Sequence, residues 1–243
     1  MLFSTNRAVA QPGFIDLSHD IFNRSITVHN PTYPDNIPVL AYDQLMYLPF
    51  KRLIDIVSSL IALIVFLPIF LVVALAILLD SPGPIFYKQE RAGLNGQSFF
   101  MYKFRSMVVN ADALKNSLQD LNESNGPFFK IKNDPRITRV GRFIRKYSID
   151  ELPQLLNVLL GDMSLVGPRP ALFNEIMQYT QSQLQNLCIP PGLTCYWQIS
   201  GRSDSDVERI NLDTKYIQEL NLITDCKILL KTPMAVIKGR GAC

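Results

Sequence analysis

Two adjacent carboxylates, Asp150 and Glu151, sit in RKYSIDELPQLLNVLLGDMSLVGPRP (residues 145–170), just after Arg145 and Lys146 and just before an apolar run. A carboxylate at a helix start beside cationic side chains stays ionised at neutral pH. In that state it can hold Mg²⁺ or attack phosphorus, and its neighbour can act as base or metal helper. Gly167-Pro168-Arg169-Pro170 adds a guanidinium on stiff backbone, suited to gripping a phosphate through two donors. The same residues also have a purely structural interpretation: Ser148-x-x-Glu151 is a capping box, and GPRP is a turn. Pro153 disturbs the box. At the fifth helical position it removes the bond to the Ile149 carbonyl and crowds it. The first turn is therefore expected to be irregular, with Asp150 on exposed, strained backbone.

What the chain lacks narrows the chemistry. Its two histidines, His19 and His29, both lie in the N-terminal 50 residues. Ser–His–Asp or Cys–His catalysis, or a histidine zinc site, is thus improbable beyond residue 50, and reactive roles there fall to carboxylates. The four cysteines show no CxxC pair and read as reduced thiols facing the cytoplasm. A net charge of +3 carries no global polyanion signature, so nucleic acid is not implied as a partner. Locally, seven basic residues and one acid between Lys130 and Lys146 form a patch that suits phosphates or anionic headgroups, or is simply a solvated face.

The elements that must hold these groups begin with a membrane segment. Residues 53–79, LIDIVSSLIALIVFLPIFLVVALAILL, would make a straight helix about 40 Å long, against about 30 Å of bilayer hydrocarbon. Pro68 divides it into pieces of about 22 Å and 16 Å, neither long enough to cross alone. Either a kinked helix spans the bilayer, or the helix breaks at Pro68 and returns as a re-entrant hairpin. Basic residues flank both ends (Lys51 and Arg52; Lys88 and Arg91), which mildly favours the hairpin. A buried soluble helix is the third reading. Residues 1–50 read as a loosely ordered, proline-containing extension, with no cleavable signal peptide.

Beyond the membrane segment, Ile85–Lys88 and Ser98–Phe104 read as strands around a Gly93–Gly96 loop. Helices are expected at 108–124, 139–146, 149–160 (closed by Gly161), 174–187 and 205–222. Residues 225–238 mix apolar side chains with Lys227, Lys231 and Lys238, which fits a helix on a membrane surface or one packed on the core. The fold class expected is mainly α with a short β-ribbon. A loosely ordered extension (1–50) precedes a re-entrant helix–break–helix (51–80) and a membrane-associated cytoplasmic catalytic domain (81–243).

KFRSM (103–107), DPRITRVGRFIRKYSIDELPQLLNVLLGDMSLVGPRP (134–170), PGLTCYWQISGR (191–202) and TDCKILLKTPMAVIKGRGA (224–242) together resemble the bacterial sugar transferases. These are the monotopic phosphoglycosyl transferases, or polyprenyl-phosphate hexose-1-phosphate transferases. The likeness runs from Lys51 to the C-terminus, and the chain reads as a near-minimal catalytic unit of that family. The resemblance implies that Asp150 is the nucleophile and Glu151 its helper. Asp150 would attack the β-phosphorus of a UDP-sugar, release UMP, and pass the sugar phosphate to undecaprenyl phosphate. It further implies Mg²⁺ at Asp150 and phosphate contacts from Arg145 and Arg169, with Lys103 and Arg105 as further candidates. A re-entrant helix broken at Pro68 is also implied, in the bacterial inner membrane with the catalytic domain on the cytoplasmic face. UDP-glucose or UDP-galactose is the expected donor and exopolysaccharide assembly the expected setting; self-association is left open. The chain departs from the frequent pattern PGITGWAQVNGR at Cys195 and Tyr196, with Trp197 one place later. The competing functions are a membrane scaffold that keeps the fold without the chemistry, which the intact Asp150, Glu151, Arg145 and Arg169 oppose, and a polytopic transferase, for which one apolar segment is too few.

Overall fold

The structure, a computed structural model, describes residues 40–114, 116–123, 131, 133–180, 182–201 and 206–239. The first element is a 39-residue helix, α1 (Tyr42–Asp80), about 58 Å long at 1.5 Å per residue. It begins nine residues before the boundary expected at residue 51, so Tyr42–Phe50 belongs to the helix and not to a loose extension. Residues 1–39 of that extension lie outside the described residues. Pro49 and Pro68 both lie inside α1, and the helix is continuous through Pro68, so the expected division into two helices is absent as separate elements.

One stripe of α1 packs on the rest of the molecule. Lys51, Asp55 and Ser59 are buried at spacings of four, and Val73 and Ile77 repeat the pattern near the far end. At the near end Lys51 pairs with Asp225, Arg52 donates to the Val158 and Leu159 carbonyls, and the Asp55 carboxylate accepts from Leu165 N–H. At the far end Val73, Ile77 and Phe70 pack with Phe104 and Ile144, and the Asp80 carboxylate accepts from Val140 N–H at 2.9 Å. The remaining faces are apolar and bare: Ile64 is 66% exposed, Leu71 64% and Val72 68%. By length and composition α1 qualifies as a membrane helix.

The β-ribbon is present and longer than expected. β1 (Phe86–Ala92) and β2 (Ser98–Phe104) pair antiparallel, with Tyr87 opposite Lys103, Gln89 opposite Met101 and Arg91 opposite Phe99. A second sheet was not foreseen: β3 (Ser164–Val166) and β4 (Gly192–Thr194) form a short parallel pair. Gly192 permits it, since a Cβ there would lie 2.0 Å from the Gly167 nitrogen. Among the described residues of 108–124 the helical elements are α2 (Ala111–Leu114) and a 3-10 stretch, Asn116–Leu121. The basic helix α3 (Arg139–Lys146) forms as expected and is capped by Thr138. Within 149–160 the first turn is 3-10 (Ile149–Glu151), and α4 (Gln154–Leu160) starts after Pro153, closed by left-handed Gly161. Residues 174–187 hold α5 (Phe173–Ile176) and a 3-10 turn (Leu184–Leu187) instead of one helix. α6 (Tyr196–Ile199), α7 (Asp206–Gln218) and α8 (Leu222–Lys238) follow.

The main core gathers Phe99, Met101, Leu155, Val158, Met163, Leu165, Val166, Ile189, Tyr216, Ile217, Leu220 and Ile228. α8 packs one face on the core and leaves apolar side chains bare on the other. Thr224, Asp225 and Ile228 face the core, while Ile223, Leu230, Met234 and Ile237 stay exposed.

Candidate active site

The dyad sits on the irregular turn that Pro153 requires. Ser148 is left-handed (φ 52, ψ 21) and makes no capping hydrogen bond, so the capping box does not form. A non-glycine residue in this region costs about 1–2 kcal/mol. The strained backbone expected at Asp150 lies instead two residues earlier, at Ser148. The expectation of exposure is not met: Asp150 is buried, at 8%. Pro153 then lies at the cap position of α4, where its missing N–H leaves no helical bond unmade.

Glu151 lines a cleft together with Arg91, Met101, Lys103, Gln154, Arg169, Pro170, Gly192, Leu193 and Gln198. Strand alternation explains the ribbon's share. Arg91, Met101 and Lys103 fall on one face of β1–β2, because Arg91 pairs with Phe99 and Lys103 with Tyr87, both in phase with Met101. Lys103 Nζ meets Glu151 Oε1 at 3.0 Å. The candidate lysine is thus placed beside the dyad and partnered by it.

The GPRP turn forms the opposite wall and is clamped from three sides. Gly167 N–H donates to Thr194 O, Gly192 N–H donates to Pro168 O, and the Arg91 guanidinium donates to Pro170 O at 3.0 Å. The Arg169 guanidinium lies 5.4 Å from the centre of the Trp197 ring, a cation–π placement that orients it. Behind it, Arg91 is buried and its pKa falls to about 10, first from burial and then from the neighbouring Arg169 charge. Two guanidinium groups thus crowd one wall, an arrangement that a bound anion relieves.

The other expected residues are placed differently. Arg105 is buried and donates to the carbonyls of Ser81 and Pro82, where α1 gives way to β1; it does not line the cleft. Arg145, half-buried in the last turn of α3, also lies off the cleft lining, and its charge helps hold the Asp134 carboxyl below the usual range, after the direct bonds from Arg136. Arg136, from the basic run, is spent on a buried pair with Asp134. The departure at Cys195–Tyr196 places those two side chains in packing contacts and sets the following Trp197 against Arg169 of the cleft. Cys195 is wholly buried with its thiol pushed up to about 12 by burial, and Tyr196 donates to Glu219.

Sequence reasoning missed Arg91, Gln154, Trp197 and Gln198. Ending β1 at Lys88 hid Arg91; carrying the strand alternation to Ala92 reveals it. Among the described residues no group of three His, Cys, Asp or Glu side chains converges to hold a metal. That donor set still fits Mg²⁺, which takes one or two carboxylates with water and substrate phosphate oxygens and needs no all-protein cage.

The bacterial sugar transferase family model matches residues 46–239. The chain is 44% identical over 212 residues to the galactosyl transferase CpsE of Streptococcus agalactiae serotype III, covering 84% of this chain and 46% of that protein. It is 45% identical over 201 residues to the undecaprenyl-phosphate galactose phosphotransferase of Salmonella typhimurium, covering 79% and 41%. The chain therefore spans less than half the length of these two relatives. It matches the exopolysaccharide production protein ExoY of Rhizobium meliloti at 42% over 197 residues, covering 79% of this chain and 87% of ExoY. With Glu151 of the dyad lining an arginine-walled cleft, and a family match over most of its length, the chain belongs to the bacterial sugar transferases.

Proposed function

We propose that this chain transfers a sugar-1-phosphate from a UDP-sugar, UDP-galactose or UDP-glucose, to undecaprenyl phosphate, releasing UMP as the first membrane step of exopolysaccharide or O-antigen-type glycan assembly. The observation that carries this reading is Glu151 lining a cleft walled by Lys103, Arg91 and Arg169, with Asp150 buried beside it on the same turn and off the cleft lining. The printed names of relatives add support: one is an undecaprenyl-phosphate galactose phosphotransferase and another, from Erwinia amylovora, a UDP-galactose-lipid carrier transferase.

In this reading a carboxylate oxygen of Asp150 attacks the β-phosphorus. The bond from that phosphorus to the bridging oxygen breaks, and UMP leaves with the electron pair. The sugar phosphate stays on Asp150 until an oxygen of undecaprenyl phosphate attacks the same phosphorus and frees the carboxylate. Burial serves the attack, because a desolvated carboxylate is the better nucleophile. Glu151, oriented by Lys103, assists. Arg169, braced on Trp197, grips phosphate oxygens, and Arg145 adds positive charge near the dyad turn. Mg²⁺, when bound by Asp150 and the diphosphate, would offset the diphosphate charge.

The membrane helix returns to the side it came from, in the cytoplasmic membrane with the catalytic domain on the cytoplasmic face. Support comes from the docking of both helix ends on one domain: Lys51 on Asp225, and Asp80 on Val140. Docking of both ends on one domain fits a helix whose ends share one side of the bilayer. Proline removes the bond to the Ile64 carbonyl and so eases the bend this requires.

The test is a donor panel. With UDP-galactose or UDP-glucose and no lipid, the protein should release about one UMP per molecule in a burst. A peptide containing Asp150 should carry the sugar phosphate, and Asp150→Asn should abolish both signals. UMP release that strictly requires undecaprenyl phosphate, with activity retained in Asp150→Asn, would sink the covalent mechanism.

A further inference from the structure

Asp213 of α7 is 4% exposed, and its Oδ1 has no hydrogen-bond partner among the described residues. It faces the cleft's arginine wall from behind. The groups around it come from each packed element. Arg209 lies one turn earlier on α7, itself 3.6 Å from Glu175 of α5. Arg169 presents its backbone N–H and its charge from the turn after β3, and Cys195 lies at the head of α6 with its thiol donating to Gln198 Oε1. Arg91 of β1 senses the charges of Arg169, Glu175 and Arg209. A buried carboxylate with an orphaned oxygen is uncomfortable as an anion and stays ionised through cationic neighbours and the donors beside its other oxygen.

We propose that Asp213 couples proton uptake to anion binding: when a diphosphate occupies the cleft beside Arg169, Asp213 takes a proton from solvent. This rests on the reading that the cleft binds a nucleotide sugar. Burial raises the Asp213 carboxyl to about 7, and the opposing contributions are the Arg209 charge, the Arg169 N–H and charge, and the Cys195 thiol. An anion on the Arg169 guanidinium cancels part of that support, so the carboxyl rises further and protonates. The buried Arg91, at about 10, and Cys195, at about 12, keep their protons through the neutral range. Linkage makes the effect reciprocal: the donor must bind more tightly as pH falls through neutrality. A nucleotide sugar is a clean probe, since its diphosphate is esterified at both ends and lacks the second ionisation near 6 of a phosphate monoester.

The experiment is calorimetry of UDP-galactose and UDP-glucose binding to the full chain carrying Asp150→Asn, which blocks the covalent step. Heats are compared at pH 7 in two buffers of different ionisation enthalpy. If binding raises the carboxyl by about one unit, about 0.4 proton is taken up per ligand, and Kd is about fivefold tighter at pH 6 than at pH 8. Adding Asp213→Asn, with folding checked by Tm, should remove the uptake and flatten the pH profile. Equal heats in both buffers, or uptake that survives Asp213→Asn, overturns the proposal. Should the double variant not fold, an infrared difference spectrum of the single variant decides: a protonated-carboxyl stretch must appear on binding, and its absence overturns the coupling. No binding of any nucleotide sugar would instead overturn the diphosphate reading of the cleft, and this inference with it.

Discussion

Two lysine–carboxylate pairs divide this molecule's labour. Lys51 and Asp225, at the base of α1, are 2.5 Å apart with side chains 5% and 6% exposed. Asp225 is further satisfied by Tyr47 and Tyr216, at 2.8 Å and 2.7 Å. Lys103 and Glu151, in the cleft, are 3.0 Å apart and 16% and 17% exposed. The first pair lies deeper in the protein, with more of its hydrogen-bonding capacity filled, and joins the long apolar helix α1 to the domain. The second lines the cleft, where a phosphate of the proposed substrate would compete for the lysine. Burial and saturation make a lock; partial exposure leaves a pair that can exchange partners.

The largest expected effect breaks the lock. Asp225→Ala strands Lys51 in the interior and should cost about 3–5 kcal/mol of stability, whereas Lys103→Ala should cost about 1 kcal/mol or less while still lowering turnover. Thermal unfolding of both variants checks this, and equal Tm losses would erase the distinction between the pairs.

A smaller effect sharpens the cleft side. Arg169→Lys loses the paired donors and the flat stacking on Trp197, and should lower kcat/KM by about tenfold to a hundredfold with the fold intact. Arg105→Lys should do the reverse, reducing Tm through the Ser81–Pro82 loop while steady-state rates per folded molecule hold. Similar activity losses in both would return Arg105 to the phosphate site.

The smallest concerns α1 itself. Single cysteines at residues 30 and 95 should both be labelled from the cytoplasm. Pro68→Ala, which restores one backbone bond, should shift only a minor fraction of molecules towards spanning. Periplasmic labelling of residue 30 in the native chain would refute the return.

Several elements were legible because their signals are local. The apolar run of α1, the ribbon around Gly93–Gly96, the basic helix α3 and the stop at Gly161 each follow from periodicity, charge or one special backbone angle. The β3–β4 pair was not legible. Its partners are three residues long and separated by about 25 positions, and the pairing depends on two glycines meeting backbone to backbone. The dyad was visible from residue type and from the conflict between Ser148 and Pro153. The burial of Asp150 was not, since charge adjacent in sequence says nothing of which way a turn faces.

Sequence alone determined the chemistry available: carboxylates in place of histidine, an arginine on a proline-stiffened turn, and an apolar segment too long and bare to be a soluble surface helix. These are properties of residue type and short-range spacing, which the chain carries before it folds. Tertiary structure decided how the cations were shared out. It gave Arg105 to a loop, Arg136 to Asp134, Lys103 to Glu151, and Arg91 and Arg169 to the cleft. A guanidinium's role depends on which acceptors lie within hydrogen-bond reach after desolvation, and that is settled only when distant segments pack together.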